Sequence, residues 1–115
     1  MNYKIVIGFL LFLAAQTLAW YQLNSQFVWD YWEDKAILSS LIFSIPVALL
    51  FWYGTKNIYD YSEQLWTCRF LGFTSGIFVF SILTWIHLDE SILTLKTLLC
   101  LLLSCAILAV QVFMK

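Results

Sequence analysis

Two apolar runs separated by a four-residue polar turn constrain this chain more than any other feature. From Phe70 to His87 no residue is charged before the final histidine, and from Leu98 to Met114 none is charged at all. Between them stands Leu88-Asp89-Glu90-Ser91. A connection that short returns the chain antiparallel to itself, and a membrane-crossing helix needs about 20 apolar residues. The segment from Ser62 to Lys115 therefore reads as a membrane hairpin.

The rest of the chain extends this reading. Of 115 residues, 63% are hydrophobic and 11% charged, where a soluble domain carries about a quarter charged residues. Spans of about 20 residues would take up about 80 residues if there were four, leaving only short connections. The expected fold is all-α, a polytopic membrane protein in one four-span domain, with spans at about 5–23, 36–54, 65–87 and 92–114. A net charge of −1 leaves no basic footprint for nucleic acid. The three cysteines, Cys68, Cys100 and Cys105, are odd in number and form no C-x-x-C pair. They read as small packing residues.

Lys4, the apolar run from Ile5 to Ala15 and the small residues Ala14, Ala15 and Ala19 imitate a secretory signal. The run continues through Trp20 to Leu23, so it is read as a retained first span. The following loop, Asn24 to Lys35, holds Phe27, Trp29, Tyr31 and Trp32 and suits the membrane interface. Pro46 falls near the middle of span two, where it removes a hydrogen bond to the Ile42 carbonyl and predicts a kink. Thr55 to Gln64 reads as a second loop, with Asp60-x-x-Glu63 as a capping box for span three. Asp89, Glu90 and Ser91 are placed to open span four.

Lysine and arginine are distributed by side as Lys4, Lys56, Arg69 and Lys115 against Lys35 and Lys96, four to two. The excess of positive charge predicts both termini in the cytoplasm of a cell or inner membrane. The small margin leaves dual insertion open.

Four short spans, Trp66 at the head of span three and the phrase HLDESILTLKTLL opening span four resemble the drug/metabolite transporter superfamily, and within it the small multidrug resistance shape. The resemblance implies a solute-binding bundle. The glutamate that exchanges protons and cations on the first helix of that family corresponds in spacing to Gln16. The pocket tryptophan of helix three corresponds to Trp66, and a tyrosine one turn earlier to Glu63. With an amide where the family has a carboxylate, the expectation is solute binding without proton exchange through span one.

The residues themselves permit two readings at each place. Gln16 lies deep in span one, where an amide needs a partner. It either orients a solute or makes an interhelical hydrogen bond that only holds the bundle. Glu63 and Trp66, one turn apart, either line one vestibule or serve as a helix cap and an interface anchor. Arg69 and Lys96 read as cations that snorkel toward the headgroups. His87, Asp89 and Glu90 read as a solvated turn. Gly72 and Gly76 form a G-x-x-x-G, a close-approach surface expected at the contact of a homodimer. No enzyme signature, cofactor motif or metal-ligand set is apparent.

Two functions follow as expectations. One is a transporter-like protein, embedded in the lipid bilayer, that binds or moves a small solute through Gln16, Trp66 and Glu63. The other is a non-transporting accessory subunit of a larger membrane complex. They differ in the span interior: a transporter needs a polar cavity that Gln16 faces, whereas an accessory subunit would pack Gln16 and the Thr74/Ser81 stripe dry.

Overall fold

In the computed structural model, which describes residues 3–114, the long apolar segments all become helices. They are α1 (Tyr3–Val28), α2 (Ala36–Ser62), α3 (Leu65–Leu88) and α4 (Leu95–Phe113). All four are long and apolar enough to cross a membrane. This is an all-α, four-helix architecture, and the chain is an integral membrane protein. Within a bilayer only a helix or a closed barrel satisfies every backbone N–H and C=O. Lys115, counted above for orientation, lies outside the described residues.

α1 is the central element. It packs against α2 on one side and α3 on the other, while α4 is attached chiefly to α3. Extents of 47 × 36 × 18 Å describe a slab, so few side chains are enclosed. In the most apolar stretches of α1 and α3, 28% of positions are buried, against 6% in α2 and α4. The core joins Ile5 and Phe12 of α1, Ile58 of α2, and Cys68 and Leu71 of α3.

The tightest seam is between α1 and α2. A Cβ on Gly8 would strike the Ile58 side chain, and one on Gly54 would lie 2.7 Å from the Phe12 ring. Only glycine allows this approach. One end of the seam carries an ion pair, Lys4 Nζ to Asp60 Oδ2 at 3.5 Å. Toward the other end the Ser39 hydroxyl donates to the Gln22 carbonyl at 2.7 Å.

Several expected boundaries move. α2 does not stop at Gly54 but continues to Ser62. The polar composition of Thr55 to Ser62 suggests a loop, but Ile58 is fully buried and anchors the segment as helix. Asp60 and Glu63 therefore do not cap α3. Asp60 lies in the last turns of α2, and Glu63 is its C-cap, with a left-handed φ of 59° and its N–H donating to Tyr59 O at 2.7 Å. Pro46 sits inside α2 without ending it. α1 runs on to Val28, and the aromatic loop shortens to a single-turn 3-10 helix, Asp30–Trp32. α4 begins later than expected. Its N-cap is Thr94, whose hydroxyl accepts the Thr97 N–H at 3.3 Å, in place of the Asp89-Glu90-Ser91 opening.

Candidate functional site

Phe12 and Gln16 are one turn apart on α1, as Gly72 and Gly76 are on α3, and the two pairs face each other in parallel register. A Cβ on Gly72 would lie 3.7 Å from the Phe12 ring, and one on Gly76 3.0 Å from Gln16 Nε2. The glycines expected at an intersubunit contact thus face a helix of their own chain, and at Gly76 the Gln16 amide takes up the space that a side chain would fill. The Gln16 amide lies across α3 and donates from Nε2 to the Gly72 carbonyl at 3.1 Å. That carbonyl also accepts the Ser75 hydroxyl at 2.8 Å. Among the described residues, Gln16 Oε1 accepts no hydrogen bond.

Beside this crossing α2 and α3 diverge and leave a groove of about 550 Å³. Phe12 and Gln16 form its floor. Phe51 and Thr55 of α2 form one wall, and Arg69, Phe73, Ile77 and Phe80 of α3 the other. Arg69, Gly72, Phe73, Gly76, Ile77 and Phe80 stand at i, i+3, i+4, i+7, i+8 and i+11, which is one stripe of a helix. The groove is apolar along most of its length. The residues with polar side chains in its lining are Gln16, Thr55, Cys68 and Arg69. No carboxylate or histidine lines it.

The three residues singled out for solute binding do not converge. Gln16 lines the groove, but Trp66 and Glu63 do not. Trp66 is 70% exposed and stacks on Phe70 with ring centroids 6.0 Å apart. The turn between α2 and α3 is only Glu63-Gln64, so Trp66 falls in the first turn of α3, beyond the groove. Glu63 is exposed at the same turn. The vestibule expected for this pair is therefore not formed. In its place the structure brings Phe51, Thr55 and Arg69 to Gln16. The α3 stripe was available in the sequence as a signal for Arg69, but no local pattern in α2 marks Phe51 or Thr55.

A second group was also missed. His87 is not a solvated turn residue but part of an aromatic cluster joining the ends of α1 and α3. Its Nε2 lies 2.9 Å from the Tyr21 hydroxyl. Trp20 stacks on its ring with centroids 5.4 Å apart, and Trp29 meets it edge-on at 5.7 Å. Trp20 Nε1 donates to Thr84 Oγ1 at 3.0 Å. These contacts are intramolecular, buried at Trp20 and Thr84 and half-buried at Tyr21 and His87, and they tie the helices together.

A separate cleft of about 340 Å³ between α1, α3 and α4 is lined by Ile5, Phe9, Leu71, Leu108, Val112 and other apolar residues. It offers nothing to orient a polar solute. Among the described residues, no three His, Cys, Asp or Glu side chains are placed to hold a metal ion.

Compared with known proteins, the chain matches no family model, no curated protein and no solved structure.

Proposed function

We propose that this chain is a transporter-like membrane protein that binds a small solute in the groove between α2 and α3, with Gln16 as its orienting group. One observation carries the reading: the Gln16 amide is fixed through Nε2 while its Oε1 is left without a donor on the groove floor. Ligand sites are mostly apolar clefts of about 300–1,000 Å³ with a few fixed polar groups. A groove of about 550 Å³ with one anchored amide has that character. Exchange of protons through span one is not part of the proposal, because an amide does not titrate.

The test is solute binding or flux in proteoliposomes, with a panel of neutral and amphiphilic solutes. Gln16→Leu should abolish binding. Binding of the neutral solutes by the parent should be level between about pH 5 and 8, since no carboxylate or histidine lines the groove. Gln16→Glu should introduce a pH dependence, since a desolvated carboxylate can titrate near neutrality. Binding that survives Gln16→Leu unchanged would remove the groove from the function.

The orientation that belongs to this reading has both termini in the cytoplasm, from the excess of Lys and Arg on that side. A cysteine placed at Asn24 should then react with an impermeant reagent outside intact cells, and one at Asn57 should be protected. The opposite pattern would invert the protein.

The accessory-subunit reading draws on a different observation. Thr74 and Ser75 are fully buried, and their hydroxyls donate to carbonyls of their own helix, Phe70 at 2.9 Å and Gly72 at 2.8 Å. That side of α3 is packed dry, as a purely structural helix would be. Under this reading the purified protein binds none of the panel.

A further inference from the structure

We propose that the groove selects a single-chain anionic amphiphile, with its anionic head on Arg69 and its tail along the Phe73–Phe80 wall. The proposal rests on the reading of the groove as a solute site and names the class of solute.

Arg69 is the only Lys, Arg, Asp or Glu in α3, and it stands in the second turn of that helix. Arg69 is exposed on the helix surface, and a cation in a membrane-spanning helix either has a counter-charge or reaches the headgroup layer. The described ion pairs are Lys4 with Asp60 and Lys35 with Asp34. Asp60, on α2, is thus already engaged. Arg69 has no ion pair and no hydrogen bond among the described residues. Its planar guanidinium keeps five N–H donors, in a fork that matches a carboxylate or phosphate.

What surrounds Arg69 gives the site its polarity. Arg69 is the first residue of the α3 stripe that lines the groove, and Thr55 lines it from α2. From Arg69 the α3 stripe runs through Phe73 and Ile77 to Phe80, about 16 Å at the helical rise. Phe51 faces it from α2. A neutral polar solute would leave this aromatic wall unused, and a cation would meet Arg69. A molecule with one anionic end and one alkyl chain engages both parts. The groove is open sideways between α2 and α3, so such a molecule enters from the bilayer.

The experiment uses the full chain in nanodiscs of zwitterionic lipid, with radiolabelled dodecyl phosphate and dodecanoate as anionic probes and dodecanol as the neutral one. Both anionic probes should bind saturably and about tenfold or more tighter than dodecanol. Arg69→Gln should remove that preference, and Arg69→Lys should keep part of it. Ile77→Trp, which fills the groove and leaves the charge in place, should abolish binding of the anionic probes. Lys56→Gln, a charge change outside the groove, should leave them bound as in the parent. Equal losses in Arg69→Gln and Lys56→Gln would reduce the effect to surface charge and overturn the proposal, as would unchanged binding in Ile77→Trp. Displacement by diacyl phosphatidic acid as effective as by dodecyl phosphate would overturn the single-chain assignment. If neutral solutes bind in a Gln16-dependent way while the anionic probes do not, the anionic assignment falls and the groove remains a solute site. If nothing binds, both fall.

Discussion

Helices α1 and α4 are both apolar enough to cross a bilayer, yet one is the centre of the bundle and the other lies at its edge. α1 presents Gly8, Phe12, Ala15, Gln16 and Trp20 to its neighbours, mixing small, large and hydrogen-bonding side chains. Gly8 admits the α2 backbone, Phe12 fits between Gly54 and Gly72, and Gln16 and Trp20 donate to α3. α4 has Leu-rich faces and one buried residue, Ser104, whose hydroxyl donates to Cys100 of its own helix at 2.9 Å. Leucine gains little by leaving lipid for another leucine, because both surroundings are equally apolar. Apolar character thus brings both helices into the membrane, but only steric fit and polar ties make one of them a partner.

The comparison is broken most directly at the glycines of α1 and α2. Gly8→Leu or Gly54→Leu should separate these helices and cost about 3 kcal/mol, the upper range for overpacking a close contact. Reversible unfolding in bicelles would measure it. Gly72→Ala should be nearly neutral, since its Cβ would meet Phe12 at an ordinary 3.7 Å. A cost at Gly72 equal to that at Gly54 would mean that the two seams are equally tight.

A smaller effect is expected where α1 is tied to α3 by hydrogen bonds. Trp20→Phe removes the donor to Thr84, and Tyr21→Phe removes the hydroxyl beside His87. Interhelical hydrogen bonds in membranes are worth about 0.6 kcal/mol on average, so each change should cost about that much in the same assay. Trp20→Phe should cost the more of the two, because Trp20 is 3% exposed and also loses packing. If neither change alters stability, the aromatic cluster does not hold the helices together.

The smallest effect should be found on α4. Leu102 and Leu103 are each 66% exposed, and changing either to Ala should shift stability by less than about 0.5 kcal/mol. A loss of about 2 kcal/mol or more would show that this face is packed in the membrane against another chain.

Much of the architecture was legible in the residues, and the errors have physical causes. The four runs were recognisable because their length and lack of charge are sufficient for membrane insertion. The end of α2 is not legible in the sequence because Thr55 to Ser62 is polar in composition, and its helical state depends on burying Ile58 against Gly8, which is distant in sequence. Gln16 stood out as an amide in an apolar span. The resemblance sets Trp66 and Glu63 beside it, but the two-residue turn at Glu63-Gln64 leaves both outside the groove lining. Thr55 and Arg69 took their places at the site through the packing of α2 and α3 around α1.

The sequence by itself determined that this chain forms helices that lie in a membrane, because partition into lipid depends on composition and run length. It also determined that Gln16, deep in span one, is an amide and does not titrate. Only the tertiary structure decided which glycines are points of close approach. The G-x-x-x-G of α3 accommodates Phe12 and Gln16 of the same chain, while Gly8 and Gly54, which form no such motif, bring two backbones together. Helix pairing in lipid is governed by the shapes that meet across an interface, and those shapes come from residues far apart in the chain.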